Sequence, residues 1–296
     1  MKNRTFYLLV VFLMIAIAGC NKEENFSESI FVDHEELDPN ASTYQFDLWL
    51  NDNFLKPYNL SVKYRMEDVS SDMDYNLVPS SLDNSKKLAQ LIKYLWFDVY
   101  GAMVGDDFLK NYGPRIIQLI GSPAYNPSSG TIILGTAEGG IKVTLYNCNS
   151  LNYNDPDMMN EYYFKTMHHE FGHILQQTKS YPKDYEQISA GNYSPLGWQY
   201  MTDQQAAKLG FVSAYSASEA REDFVEVIAN YLVKSDKDWN NLLSMAGTDG
   251  ATIILKKLSI CSSWLKEKWN IDIVKMRNEI ITRQNNINDD FFNKNL

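Results

Sequence analysis

His169, Glu170 and His173 form an H-E-x-x-H run, a set of residue types and spacings suited to metal chemistry. On a helix the two imidazoles fall one turn apart on a single face. There both can reach one zinc ion, with the glutamate beside them as a general base. Three of the chain's four histidines, His168, His169 and His173, lie within residues 168–173, which composition alone does not explain. At about 100° per residue, Phe164, Met167, Phe171, Ile174 and Leu175 gather on one side, and His169 and His173 lie nearly opposite. One side therefore faces a core and the other a cleft. By the same step His168 is turned about 100° from His169, which makes it a supporting or exposed residue rather than a ligand.

A hydrolytic zinc takes three protein ligands and keeps a position for water. The acidic run at 216–226 offers two third ligands. Glu219 with Asp223 makes the E-x-x-x-D pattern of thermolysin-like enzymes, whereas Glu222 with Glu226 places the pair one turn later. Ser216 and Glu219 have capping-box spacing, which would occupy Glu219 in closing a helix start. Glu222, Glu226 and Ala229 line up away from Phe224, Ile228 and Tyr231. Two carboxylates one turn apart repel unless a cation sits beside them, so the choice leans to Glu222. The competing reading is a solvated acidic helix face.

The elements that must position these groups can be read in outline. Asp155 as N-cap, Pro156 at the first turn and Asp157 near the positive helix end predict a helix starting near 156. Gly172 inside it costs about 1 kcal/mol against alanine, which implies close approach by another segment. Upstream, 44–55 and 85–103 read as helices, 59–64 and 116–120 as strands, and 131–134 and 141–146 as strands flanking a glycine-rich 135–140. Residues 178–197 read as a long loop. The expected class is α+β, with 41–120 as an N-terminal region and 121–296 as the catalytic part of one domain at 41–296.

Lys2 and Arg4 precede an apolar run at 6–18, which is short for a membrane span and has the proportions of a secretory signal. It ends in Ile17-Ala18-Gly19-Cys20, which resembles the lipobox of bacterial lipoproteins. That resemblance implies a signal peptide at 1–19, acylation of Cys20 and a lipidated tether at 20–40, whose polar, acidic composition suits a linker. Asn21-Lys22-Glu23-Glu24 is similar to the signal that sends Bacteroidetes lipoproteins to the outer face of the outer membrane. A net charge of −10 argues against a nucleic-acid partner. Cys148 and Cys261 could pair in an oxidising compartment, although two cysteines make no disulfide framework and two separate buried thiols are the expectation; without a cysteine cluster a structural zinc site has no support.

Tyr215, six residues, then Glu222-Asp223-Phe224-Val225-Glu226 is similar to the anthrax lethal factor-like metallopeptidases. With Lys63-Tyr64-Arg65, H-E-F-G-H and the G-F-V-S-x-Y run at 210–215, nearly the whole chain beyond Cys20 resembles the zinc metallopeptidase lipoproteins of Bacteroidetes. These are called substrate-import-associated zinc metallohydrolase lipoproteins and are encoded near SusC/SusD-like uptake pairs. The resemblance implies a zincin-type fold with a small sheet before the motif helix and a second, ligand-bearing helix. It implies one zinc ion on His169, His173 and Glu222, with Glu170 as base, Tyr215 as oxyanion donor and Glu226 orienting His169. It also implies a peptide or protein substrate, a strand bordering the cleft, and an outer-membrane location facing the exterior beside SusC/SusD-like proteins. Val225 departs from the usual alanine and is expected to crowd the helix contact. The alternative is a low-turnover accessory lipoprotein that holds peptide or glycan, against which the intact Glu170 stands.

Overall fold

Aromatic residues at helical spacing begin the folded part. Helix α1 (Tyr44–Leu50) runs on through a π-turn at Asn51–Leu55 into a last turn at Lys56–Tyr58, burying Phe46, Leu50, Phe54 and Tyr58. Asn59 ends it in the left-handed conformation, φ 51°. Strand β1 (Ser61–Lys63) follows. Just past it, the Tyr64 hydroxyl and the Arg65 guanidinium donate to the Asp47 carboxylate of α1 at 2.7 and 2.8 Å. The Lys63-Tyr64-Arg65 segment thus clamps the first strand to the first helix. In the computed structural model the described residues are 37–66, 75–125, 132–133, 135–138 and 141–294. The expected signal peptide, Cys20 and most of the tether lie outside the described residues.

Ser81 caps α2 (Leu82–Ile92), its hydroxyl accepting the Asn84 N–H at 3.2 Å. This helix continues through a π-turn at Lys93–Phe97 into α3 (Asp98–Val104), the long apolar rod expected from the sequence. Helix α4 (Asp107–Tyr112) leads into the strands. They are β2 (Ile116–Leu119), β3 (Ala124–Tyr125), β4 (Ile132–Ile133), β5 (Gly135–Glu138) and β6 (Lys142–Leu145). The main sheet has the order β1-β2-β6-β5, with β5 at one edge and antiparallel to β6, while the other pairs are parallel.

The hairpin differs from the sequence expectation. Residues 135–138, read as a turn, are themselves the edge strand, with Gly135 opposite Leu145 and Glu138 opposite Lys142. Ile132 and Ile133 pair instead with Tyr125 and Ala124 in a separate two-stranded ribbon. The physical reason is packing. A Cβ on Gly135 would lie 2.4 Å from Thr166 Cγ2, so this glycine marks close approach of a strand to a helix rather than a turn.

The helical half starts as predicted. Asp155 accepts the Met158 N–H at 3.0 Å and caps α5 (Pro156–Met159), which continues through a π-turn at Asn160–Phe164 into α6 (Lys165–Thr178), the motif helix. The expected loop after it contains α7 (Asp184–Ile188), and α8 (Asp203–Lys208) follows. A 3₁₀ turn at Tyr215–Ala217 leads into α9 (Ala220–Val233). The predicted capping box is absent. Glu219 itself occupies the N-cap position without a side-chain cap bond, and its carboxylate pairs with Arg221 at 2.9 Å. Ser216 lies in the preceding turn and bonds Ser213 at 2.9 Å. Helices α10 (Asp236–Trp269, broken at Gly247), α11 (Ile273–Gln284) and α12 (Asp289–Lys294) complete the described chain.

Ser42–Leu296 form one unit with a hydrophobic core that runs from Phe46 to Phe292. Trp96 and Tyr100 pack on Phe171 of the motif helix at 5.1 and 5.0 Å between ring centroids. The N-terminal elements therefore support the motif helix from behind. No helix among the described residues is long and apolar enough to cross a membrane.

Candidate metal centre

Two helices make the centre, and a glycine lets them meet. An added Cβ on Gly172 would lie 2.9 Å from Val225 Cγ1. The helix-propensity cost of Gly172 is thus tied to the approach of α9, and Val225 fills the room the glycine leaves. This contact brings the α6 face bearing His169 and His173 opposite the α9 face bearing Glu222 and Glu226.

His169 Nε2, His173 Nε2 and Glu222 Oε2 form a triangle with every side 3.1 Å. Ligand atoms around a tetrahedral zinc, with bonds of about 2.0–2.1 Å, stand about 3.3–3.4 Å apart. The donor set therefore matches zinc in kind and nearly in size. Two imidazole nitrogens facing each other beside a carboxylate require a positive charge between them, either a proton or a cation. Burial pushes the Glu222 carboxyl up, but hydrogen bonds from His169 and His173 outweigh it and hold the group well below the usual range. Burial likewise disfavours the His169 imidazolium, yet Glu222 and Glu226 raise its pKa to about 10.

Glu226 stands behind His169. Its Oε1 lies 2.9 Å from His169 Nδ1, and its Oε2 accepts from the Ser213 hydroxyl at 2.6 Å and the Asn230 amide at 3.1 Å. Burial raises its carboxyl, and the His169 contact outweighs this and brings it down to about 2. Glu222, Asp223 and Glu226 are all buried, which excludes a solvated acidic face. The Tyr215 hydroxyl donates to Glu222 Oε2 at 3.0 Å, and the edge of Trp198 packs on its ring at 4.9 Å. Burial and then the Glu222 charge push the phenol pKa up, so it stays a proton donor. Glu170 is half-buried beside a cavity of about 530 Å³, which Ile132, Gly135, Thr166, Trp198 and Tyr215 also line. Its carboxylate makes no hydrogen bond among the described residues, and burial raises its pKa.

Residues 39–274 match the family described as "putative zinc-binding metallo-peptidase". The chain belongs to this family. A crystal structure of a zinc-binding metallo-peptidase of the same description from Bacteroides caccae is 45% identical, with a TM-score of 0.74 over 87% of this chain and 96% of that one. No curated protein matches. The fold with its small sheet and long helices, the His-His-Glu donor set and the family together make this a zinc metallopeptidase.

Within this peptidase several residues take places that the sequence did not settle. His168, expected as a supporting or exposed residue and not a ligand, takes the supporting place and is buried; its Nδ1 lies 3.1 Å from the Tyr100 hydroxyl, and burial brings its pKa down to about 3. It is a neutral core histidine that packs the motif helix on the α2–α3 rod. Asp223 turns away from the centre to Lys257 of α10 at 2.7 Å, with both side chains fully buried. Lys257 also donates to the Gly210 carbonyl at 2.8 Å, so one lysine ties α9 to the segment carrying Ser213 and Tyr215. Ser213, Asn230 and Gln176 escaped the sequence reading. Asn230 follows Glu226 by four residues, and Gln176 follows His173 by three and lies 2.6 Å from its Nδ1. Those helical spacings are a usable signal. Ser213 arrives from a loop: its place in the G-F-V-S-x-Y run marked the segment, but no helical spacing ties it to Glu226.

Proposed function

We propose that His169, His173 and Glu222 hold one zinc ion and that the chain hydrolyses peptide bonds with Glu170 as general base. The observation that carries this reading is the convergence of three donor atoms at 3.1 Å beside a half-buried, unpartnered Glu170 facing the cavity. Zinc held by these three residues would supply Lewis-acid chemistry to the cleft, making a carbonyl there more electrophilic and water easier to deprotonate. Glu170 takes a proton from the attacking water and passes it to the leaving amine, a task suited to a carboxyl whose pKa is raised by burial. Glu226 accepts the Nδ1–H of His169 and so keeps the Nε2 lone pair directed inward. Tyr215 donates its hydroxyl to the developing oxyanion. Edge strand β5, bordering the cavity through Gly135, offers its outer side to an extended peptide.

The lipobox-like Cys20 and the acidic signal after it support anchoring on the outer face of the outer membrane, where SusC/SusD-like uptake proteins would be its neighbours. Cys20→Ala should release the protein from the membrane fraction, and retention there would remove the anchor from this reading.

The enzymatic test is metal content and peptide cleavage for the chain from residue 21 beside Glu170→Ala and Glu222→Ala. Wild type should carry one zinc. Glu170→Ala should keep it while losing cleavage by about 10²–10⁴-fold, and Glu222→Ala should lose both. Zinc retained in Glu222→Ala would remove that residue from the ligand set. Zinc without cleavage of any peptide library would make the protein a binding accessory.

A further inference from the structure

We infer that Lys257 and Asp223 are positioning residues: their buried ion pair sets two cleft-lining segments, 193–198 and 210–215, on α9 so that Tyr215 and Ser213 reach the ligand helix. The inference rests on the zinc site and the role of Tyr215 proposed above. It begins from a charge pair that the chemistry does not use. Lys257 Nζ lies 2.7 Å from Asp223 Oδ2, and both side chains are fully buried. Taking two charges out of water is costly, and a buried pair often stabilises a fold no better than apolar side chains of similar volume. Setting a register is the best attested reason to keep one.

Each end of the pair holds one wall of the cleft. Asp223 lies on α9 between Glu222 and Glu226, and its Oδ2 also accepts the Tyr193 hydroxyl at 2.9 Å. Further along that segment, Trp198 lines the cavity and packs on the Tyr215 ring. Lys257 also donates to the Gly210 carbonyl at 2.8 Å, and its ammonium stands 4.0 Å from the centre of the Phe211 ring. That second segment then supplies Ser213 to Glu226 and Tyr215 to Glu222. One carboxylate and one ammonium therefore index both walls to the helix that carries the proposed ligand.

The packing around Gly210 brings the lysine within reach. A Cβ on Gly210 would lie 2.3 Å from Ile253 Cγ2, and its φ of 86° is a conformation that suits glycine. The backbone there presses directly on α10, where Ile253 and Lys257, four residues apart, share one face. The two walls also hold each other, through the Ser194 N–H on the Ala217 carbonyl at 2.7 Å and Tyr193 against Phe211 at 5.4 Å between ring centroids. Neither of those contacts involves α9. Without the ion pair the walls can stay joined and shift together on α9, which carries Tyr215 away from the donor triangle.

The test replaces the pair by apolar side chains, Asp223→Leu with Lys257→Met, in the full chain, and reads amide exchange of the metal-free form, zinc content and steady-state kinetics. Packing tolerates such a swap, so the double variant should melt near wild type and keep its zinc. Its amides at 193–198 and 210–217 should exchange at least about tenfold faster, with those of α2 and α6 unchanged. Its kcat should fall by about 10–100-fold with KM little altered, and Tyr215→Phe should cost far less in this background than in wild type. Unchanged exchange in both segments, or a rise shared equally by α2 and α6, overturns the inference, as does a full Tyr215→Phe loss on top of the pair's own. If the double variant does not fold, Tyr193→Phe decides, since it removes only the bond between one wall and Asp223. Faster exchange at 193–198 with a lower kcat supports the inference, and wild-type values for both overturn it. A wild type that holds no zinc or cleaves nothing overturns the catalytic reading instead, and exchange alone then decides whether the pair sets the walls.

Discussion

Tyr215 stands one hydrogen bond from the point where the three donor atoms converge, with its proton held on by burial and by the Glu222 charge. Two roles fit that position, donation to a reacting oxyanion and restraint of the ligand carboxylate. Tyr215→Phe separates them, because Trp198 still packs the ring. The expected result is a loss of about 10²–10³-fold in kcat with zinc content unchanged, read by steady-state kinetics and metal analysis. A fall in zinc content would assign the hydroxyl to Glu222. At this scale the sequence was most legible where helical spacing constrains chemistry. His169, Glu170 and His173 were readable outright, and Glu222 and Glu226 were readable as a pair one turn apart. Ser213 was not, because nothing local ties a loop serine to a glutamate thirteen residues on.

At the scale of elements, the α6–α9 contact rests on a size match. Gly172→Ala puts a methyl group against Val225 Cγ1 at 2.9 Å and should cost about 1–3 kcal/mol in denaturant unfolding. Val225→Ala in the same chain should recover part of this, and additivity of the two changes would show that the helices do not meet there. The α1–β1 clamp makes a pH-dependent prediction. Burial pushes the Asp47 carboxyl up, but bonds from Arg65, Tyr64 and Thr43 outweigh it, so its folded pKa lies below the unfolded value of about 3.9. Its contribution is therefore present above the unfolded pKa and lost as pH falls through the folded one. Asp47→Asn should be less stable than wild type at neutral pH by about 1 kcal/mol, a modest figure because Arg65 is 56% exposed and solvent screens the pair. The gap should close in strong acid, and a gap independent of pH would refute the assignment. Two elements were misread for local reasons. Ser216 and Glu219 satisfied the spacing of a capping box, but the chain there makes a 3₁₀ turn first. Glycines at 135–140 looked like turn residues, whereas Gly135 is in a strand pressed against Thr166.

Across the molecule, the core is continuous from the first helix to the last, and the proposed metal ligands come from two helices that both lie within it. Zinc should therefore stabilise the whole unit. At free zinc 100 times its Kd the gain is about 2.7 kcal/mol, which for a chain of this size corresponds to about 5–10 °C in Tm. A chelator should remove that increment in a thermal scan, and an unchanged melting curve would uncouple the site from the fold. The helical half was legible because caps and periodicity are local signals. The strand order β1-β2-β6-β5 was not, since strands of three or four residues carry little periodicity and their pairing is decided at long range.

Cys148 and Cys261 are both buried and unpaired, and burial pushes the Cys148 thiol up to about 12 and that of Cys261 well above its ordinary value. Thiolate is the reactive form, so both side chains are inert to alkylating agents in the folded state. No disulfide exists among the described residues for a reductant to open. Inhibition by a mercaptan therefore reads competition for the metal alone, which makes small thiols clean probes of the centre.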